Sequence, residues 1–292
     1  MTPLARAVWR FEAIGTRWEV ETVRELPEDA RAAASAVIAR FDREWSRFRA
    51  DSVVSQLART GGAVPAPPDA AAMFETYAAL TDATAGAVDP LVGDALVRRG
   101  YDAAYSLVDQ GAVAATSDWR ARLTWSDGTL RLAAPATIDV GALGKGRLVD
   151  LVSAAVEPWT VDGAVVDAGG DIAVRGAPQR IGLEHPYVPS RAIGVWEVTD
   201  AALCASATNR RSWGEGLHHV LDARTGQPVR TIAATWAVGA TAMQADAIAT
   251  ALFFPGGEQL AARWDVAWVR MATDGVVDWS PGCPAELFIG PR

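Results

Sequence analysis

Twice in this chain an acid–glycine pair stands between two short alternating runs: Asp127-Gly128 within Leu123 to Leu132, and Asp274-Gly275 between 265–271 and 276–279. That dipeptide favours the positive φ of a two-residue turn, so each pair of runs folds back as an antiparallel hairpin. Phe11 to Thr22 reads as two more short strands around Gly15, with Trp18, Val20 and Thr22 alternating with Glu19 and Glu21. Further strands are predicted at 163–167, 171–175 and 193–198. Helices are interleaved with them. Over 28–48, Val37, Phe41 and Trp45 recur every four residues, and Ile38 and Phe48 widen the stripe. A second helix is predicted over 69–81, behind Pro67-Pro68 and with Asp69 as its N-cap. Others are predicted from Gly146 to about Val156, at 242–253 and at 257–263. Frequent hairpins among helices predict an α+β fold with mixed or antiparallel sheets flanked by helices, not a doubly wound parallel sheet. No repeat is visible, and the Pro-rich stretch at 65–68 is too short to separate independent units. The expectation is one two-lobed domain over 1–292.

Composition excludes several classes of function. Half the residues are hydrophobic and 21% are charged, which suits a packed core and argues against disorder. A net charge of −8 argues against nucleic acid as the main partner, because a phosphate backbone calls for a basic face. No apolar run reaches the ~18 residues that span a bilayer. The first ten residues have no long apolar core, so no membrane insertion and a cytoplasmic location are expected. Cys204 and Cys283 are the only cysteines. They suit either one disulfide or two inert thiols, and their spacing suggests no metal site.

Four segments use Gly, Asp, Thr and His where a core has no need of them. In Ile138-Asp139-Val140-Gly141-Ala142-Leu143-Gly144-Lys145-Gly146, three glycines surround one lysine at a strand-to-helix junction. Free amides at the helix start and the lysine would both face an anion such as a phosphate. The spacing is not that of a Walker A loop, and a Gly-rich turn with a solvated lysine has the same pattern. In Val165-Val166-Asp167-Ala168-Gly169-Gly170-Asp171-Ile172 an apolar strand ends in a tight turn, either against a ligand or as an ordinary hairpin. His219 and Asp222 flank two apolar residues before the turn at Thr225-Gly226, as a base with its orienting acid or as structural groups. Asp246 and Thr250 stand four apart on an otherwise apolar helix. A buried carboxylate there needs a partner, either a hard cation with oxygen ligands or a bracing hydrogen bond.

Together and in this order the segments resemble the ApbE family of FAD:protein FMN transferases. Phe11-Glu12-Ala13-Ile14-Gly15-Thr16 is similar to the family's opening F-x-A-M-G-T, and Ser46-Arg47-Phe48-Arg49-Ala50-Asp51-Ser52 and Gly86-Ala87-Val88-Asp89-Pro90-Leu91-Val92-Gly93 continue the match. Ala205-Ser206, with Arg210-Arg211 after it, falls where the family has its T-S-G stretch. The chain departs from the family at Ile14 (usually Met), Asp167 (often Asn), Ala207 (usually Gly) and Ala223 (usually Pro).

The resemblance implies Mg²⁺ held by the Ala142 carbonyl, Asp246 and Thr250. It implies an FAD pocket built from Ile14, Gly15, Thr16, Asp89, Gly169, Gly170, Asp171, Ser206 and Thr225. Lys145 would lie beside the pyrophosphate, and His219, oriented by Asp222, would assist proton transfer. The expected reaction moves FMN from FAD onto a Thr or Ser hydroxyl of an acceptor protein and releases AMP. A metal-dependent FAD pyrophosphatase and a non-catalytic FAD carrier are the alternatives. The 12 tryptophans are expected to serve mainly the core.

Overall fold

In the computed structural model, residues 6–115 and 118–288 are described. The chain opens with a hairpin, β1 (Ala7–Ala13) and β2 (Thr16–Thr22). Helices α1 (Glu28–Trp45) and α2 (Val53–Thr60), strand β3 (Gly62–Pro65) and helices α3 (Ala70–Ala83), α4 (Gly93–Arg98) and α5 (Trp119–Arg122) follow. Hairpin β4 (Leu123–Ser126) and β5 (Thr129–Leu132) leads to α6 (Gly144–Val156). Next come β6 (Ala164–Asp167), β7 (Asp171–Arg175), β8 (Gln179–Glu184), β9 (Ala192–Val198) and β10 (Ala202–Ala207). Four two-residue strands, β11 (Ser212–Trp213), β12 (Leu217–His218), β13 (Leu221–Asp222) and β14 (Gln227–Pro228), precede β15 (Ile232–Gly239). The last elements are α7 (Ala242–Ala251), α8 (Gly257–Arg263), β16 (Ala267–Ala272), β17 (Val277–Trp279) and β18 (Glu286–Leu287).

Eight strands form the main sheet in the order β1-β2-β6-β7-β10-β15-β16-β17. Every pairing among the described residues is antiparallel. Successive side chains leave a strand on opposite faces. Val166, Cys204 and Ala237 therefore enter the large core beneath α1, α3, α6 and α7. Their neighbours Val165, Leu203 and Trp236 enter a second core beneath the β8-β9-β18 sheet. Trp18, Trp119 and Trp196 are fully buried, in keeping with core use of tryptophan.

The predicted hairpins and most helices form within a few residues of their expected limits. Three differences have physical causes. The helix expected over 28–48 stops at Trp45, and Ser46 is already extended. Arg47 turns inward to Asp139, and Phe48 joins an aromatic group with Tyr101 and Tyr105 instead of continuing the helical stripe. Asp69 stands at the N-cap of α3, but its side chain caps nothing. It is buried and receives two bonds from Arg147, at 2.6 and 2.8 Å. Strand β15 has no counterpart among the predicted elements, because a central strand buried on both faces and rich in alanine has no polar alternation to read.

Both cysteines are free thiols, and Cys204 is buried. Among the described residues, no helix is long and apolar enough to cross a membrane.

Candidate functional site

A cavity of about 1100 Å³ opens where the start of α6 and the Asp246–Thr250 face of α7 meet the start of β7 and the end of β10. Ile14, Gly15, Thr16, Asp89, Ala142, Lys145, Gly169, Gly170, Ser206, His219, Asp246 and Thr250 all line it. Widely separated stretches of sequence thus converge on one space. Asp171, Asp222 and Thr225 do not line it.

The two helices are joined by reciprocal carboxylate caps. Gly146, in the first turn of α6, donates its N–H to Asp246 Oδ2 at 2.9 Å. Asp150, one turn further along α6, accepts from Ala242 N at 2.8 Å and Met243 N at 2.9 Å at the start of α7. Each helix supplies an acid to orphan amides of the other. Glycine at 146 is a steric need, because a Cβ there would sit 2.2 Å from the Ala242 carbonyl oxygen. Sequence reasoning misses Asp150. Its signal is an acid in the apolar run of α6, for which a local partner is missing.

Lys145 Nζ lies 2.6 Å from Asp171 Oδ2, and the Asp171 side chain is fully buried. Burial pulls the Lys145 pKa down, but Asp171 and Asp246 outweigh it and hold it above the usual lysine value. Asp171 is thus the lysine's counter-ion behind the wall, and it offers no surface to a ligand. Asp246 is pushed well above the usual carboxylate range, first by burial and then by the charge of Asp171. Lys145 pairs directly with Asp171 and reaches Asp246 only through space, so ionising both buried carboxyls would leave this region with an excess of negative charge.

That excess, and a donor set of carboxylate, hydroxyl and carbonyl oxygens at Asp246, Thr250 and Ala142, fits a hard divalent cation. No group of three or more His, Cys, Asp or Glu side chains able to hold a metal occurs among the described residues. A cation here would complete its shell with backbone, water or phosphate oxygens, as Mg²⁺ commonly does.

In the turn that leads into Asp171, Asp167 Oδ1 accepts the N–H groups of Gly169 (2.7 Å) and Gly170 (3.0 Å) and so fixes the turn. Gly169 has φ +72, and a Cβ on it would come 2.5 Å from Thr16 Oγ1. The Ile14-Gly15 turn has φ of 48 and 75, the two positive values of a tight hairpin turn. Asp89 is 5% exposed and accepts from Leu91 N at 2.7 Å. Burial raises its pKa to about 6, against that bond.

His219 is neutral at ordinary pH. Burial, then Arg211 and His218, lower its pKa to about 3. Its Nδ1 is buried and has no hydrogen-bond partner. The expected orienting acid is engaged elsewhere. Asp222 holds Arg224 at 2.6 and 2.9 Å and accepts the Arg224 N–H. Thr225 belongs to the same turn, with its hydroxyl on the Asp222 carbonyl. The chain reverses at 222–227, so Asp222 is spent on turn chemistry and no His–Asp dyad forms.

Arg47 and Asp139 lie in the recognisable motifs, yet spacing alone assigns them no role. Arg47 Nε donates to Asp139 Oδ2 at 2.5 Å, and Asp139 Oδ1 accepts the Gly141 N–H at 2.8 Å. Tyr77 Oη donates to the Asp139 carbonyl at 2.9 Å. This buried pair fixes the Gly141-Ala142 step against the cavity.

The chain matches the ApbE family over residues 14–268. Similar curated proteins include the FAD:protein FMN transferase of Rhodobacter capsulatus, 28% identical over 313 residues that cover 95% of this chain and 57% of that protein. The FAD:protein FMN transferase of Treponema pallidum is 26% identical over 281 residues, 84% of this chain and 78% of that one. Among solved structures, the ApbE protein of Thermotoga maritima aligns with a TM-score of 0.82 at 20% identity, covering 94% of this chain and 97% of that one. The flavin transferase ApbE of Vibrio cholerae aligns with a TM-score of 0.78 at 20% identity, covering 95% and 97%. These likenesses show a shared fold. The chain spans little more than half the length of its Rhodobacter relative. With the family pattern running through the cavity and most of the sequence, the chain belongs to the ApbE family.

Proposed function

We propose that this protein is a Mg²⁺-dependent flavin transferase that moves the FMN half of FAD onto a Thr or Ser hydroxyl of an acceptor protein and releases AMP. The observation that carries this reading is the cavity wall where buried Asp246 stands in an oxygen-only donor set while the neighbouring Lys145 is held by Asp171 behind it. Such a wall favours a divalent cation and, through it, a polyanionic substrate. The names of the relatives, FAD:protein FMN transferase, supply the substrate class.

Asp246, Thr250 and the Ala142 carbonyl would hold Mg²⁺, which when bound neutralises charge on the pyrophosphate oxygens. The Asp150 and Asp246 caps keep the two helix starts in register. The Arg47–Asp139 pair keeps the Gly141-Ala142 step in place. Thr16, Gly169 and Gly170 form a close-fitting turn against which the substrate lies. The acceptor hydroxyl attacks the FMN-side phosphorus, and the bond to the AMP phosphate oxygen breaks. The hydroxyl proton passes to the His219 imidazole, which is neutral before the step. Negative phosphate nearby stabilises the imidazolium and raises its low pKa during the step.

The test is to incubate the full chain with FAD, Mg²⁺ and a domain bearing a candidate acceptor Thr, then read AMP and the intact mass of the acceptor. AMP with a flavin-bearing acceptor supports the transferase, and AMP with free FMN only makes it a pyrophosphatase. Bound FAD without AMP makes it a carrier. Asp246→Asn is expected to lower turnover by roughly 10²-fold or more while the protein stays folded. Full activity in that variant removes the metal assignment.

A further inference from the structure

Six cationic side chains line the cavity: Arg17, Arg47, Arg49, Lys145, Arg210 and Arg211. Four are already neutralised by carboxylates. Arg47 pairs with Asp139, Arg49 with Asp42 and Asp51, Lys145 with Asp171 and Arg210 with Glu184. Among the described residues, Arg17 and Arg211 have no carboxylate within ion-pair distance.

Arg211 is the better placed of the two. The short hairpin of β11 and β12 pairs Ser212 with His218 and Trp213 with Leu217. One step toward the cavity, Arg211 faces His219, whose N–H donates to the Arg211 carbonyl at 3.3 Å. Its guanidinium carbon lies 6.0 Å from the centre of the Tyr101 ring. Its charge also reaches the pocket groups, lowering His219 and opposing the rise of Asp246.

We propose that Arg211 is the side-chain cation that binds the substrate's pyrophosphate, and that Lys145 instead serves as counter-ion to Asp171 behind the wall. The assignment rests on the flavin-transfer reading for its ligand, a dinucleotide with a pyrophosphate bridge. A planar guanidinium free of other acids can grip two phosphate oxygens at once. Arg211 is exposed before binding, which leaves it free to close over an entering ligand. Standing across the hairpin from His219, it places negative phosphate oxygen beside the imidazole that takes the proton.

The experiment titrates the full chain with FAD and with riboflavin, which carries the same ring but no phosphate. Arg211→Gln is expected to weaken FAD by roughly 10–100-fold, the effect of losing a charge-assisted bond, and to leave riboflavin unchanged. Arg211→Lys should recover some of the loss. NMR titration of His219 in Arg211→Gln should show a higher pKa, which also verifies that the variant is folded. Equal weakening of FAD and riboflavin would overturn the assignment. So would a selective loss of FAD in Arg17→Gln that Arg211→Gln lacks. If the chain shows the Arg211 selectivity yet neither transfers nor cleaves FAD, the phosphate assignment stands and the transferase reading falls. If the unaltered chain binds neither ligand, both fall.

Discussion

The backbone N–H of Gly146 points at Asp246 Oδ2 across 2.9 Å, and this bond brings two helix starts together over a hundred residues of chain. Residue 146 is a glycine inside a helix, where alanine would normally stabilise by about 1 kcal/mol. Here the sign reverses. An added Cβ would meet the Ala242 carbonyl oxygen at 2.2 Å and Asp246 Cβ at 2.7 Å. Gly146→Ala is expected to destabilise by about 1–3 kcal/mol, as overpacking does. It should also raise the Mg²⁺ concentration needed for half-maximal activity, because it pushes Asp246 away. Thermal melting and a Mg²⁺ titration of activity check both. A more stable Gly146→Ala would contradict the packing.

The Lys145–Asp171 pair predicts strong non-additivity. Removing one member leaves the other as a buried, unpaired charge, which typically costs about 3–5 kcal/mol. Lys145→Met alone is expected to lower the midpoint of urea unfolding sharply. The double variant Lys145→Met with Asp171→Asn should recover much of the loss, because residue 171 is then no longer a buried charge without its counter-ion. Equal stability of the single and double variants would show that the pair is not coupled.

His219 should leave no inflection near pH 6.5 in the pH profile of kcat/KM. Its pKa of about 3 keeps it neutral in the free protein at every pH above roughly 4. His219→Ala is expected to slow transfer by roughly 10²–10⁴-fold and to leave the profile's shape between pH 5 and 8 unchanged. An inflection near 6.5 that vanishes in the variant would mean an imidazole with ordinary solvation.

Asp89 contributes the opposite of the usual carboxylate stabilisation. Its pKa rises from 3.8 in the unfolded chain to about 6 when buried. The folded state therefore holds the proton more tightly, and stability falls as pH rises from about 4 to about 6. Below that window the penalty is absent, and above it the penalty is complete, on the order of 2–3 kcal/mol. Asp89→Asn keeps an oxygen for the Leu91 N–H. It is expected to match the parent at pH 4 and to be more stable at pH 8. Denaturant melts at the two pH values decide it, and a constant difference would refute the burial argument.

Local patterns determine a good deal of this protein. The Asp-Gly turns, the four-residue stripe of α1 and the alternation around Trp18 are short-range signals, and each element they imply exists. The Gly-rich junction before α6, the Gly169-Gly170 turn and the Asp246–Thr250 pair are visible for the same reason, since each spends residues that a core has no use for. Other features depend on partners far along the chain. Asp69 has the sequence of a helix cap, and only Arg147, 78 residues away, turns it into an ion-pair partner. Asp222 stands three residues from His219, as an orienting acid would, yet Arg224 holds it. Lys145 looks like a free phosphate ligand until Asp171 appears behind it. Sequence spacing determines which backbone conformations and which faces are available. Only the tertiary structure decides where charges go, because a charge taken out of water binds the nearest opposite charge in space, and the order of the chain does not record that distance.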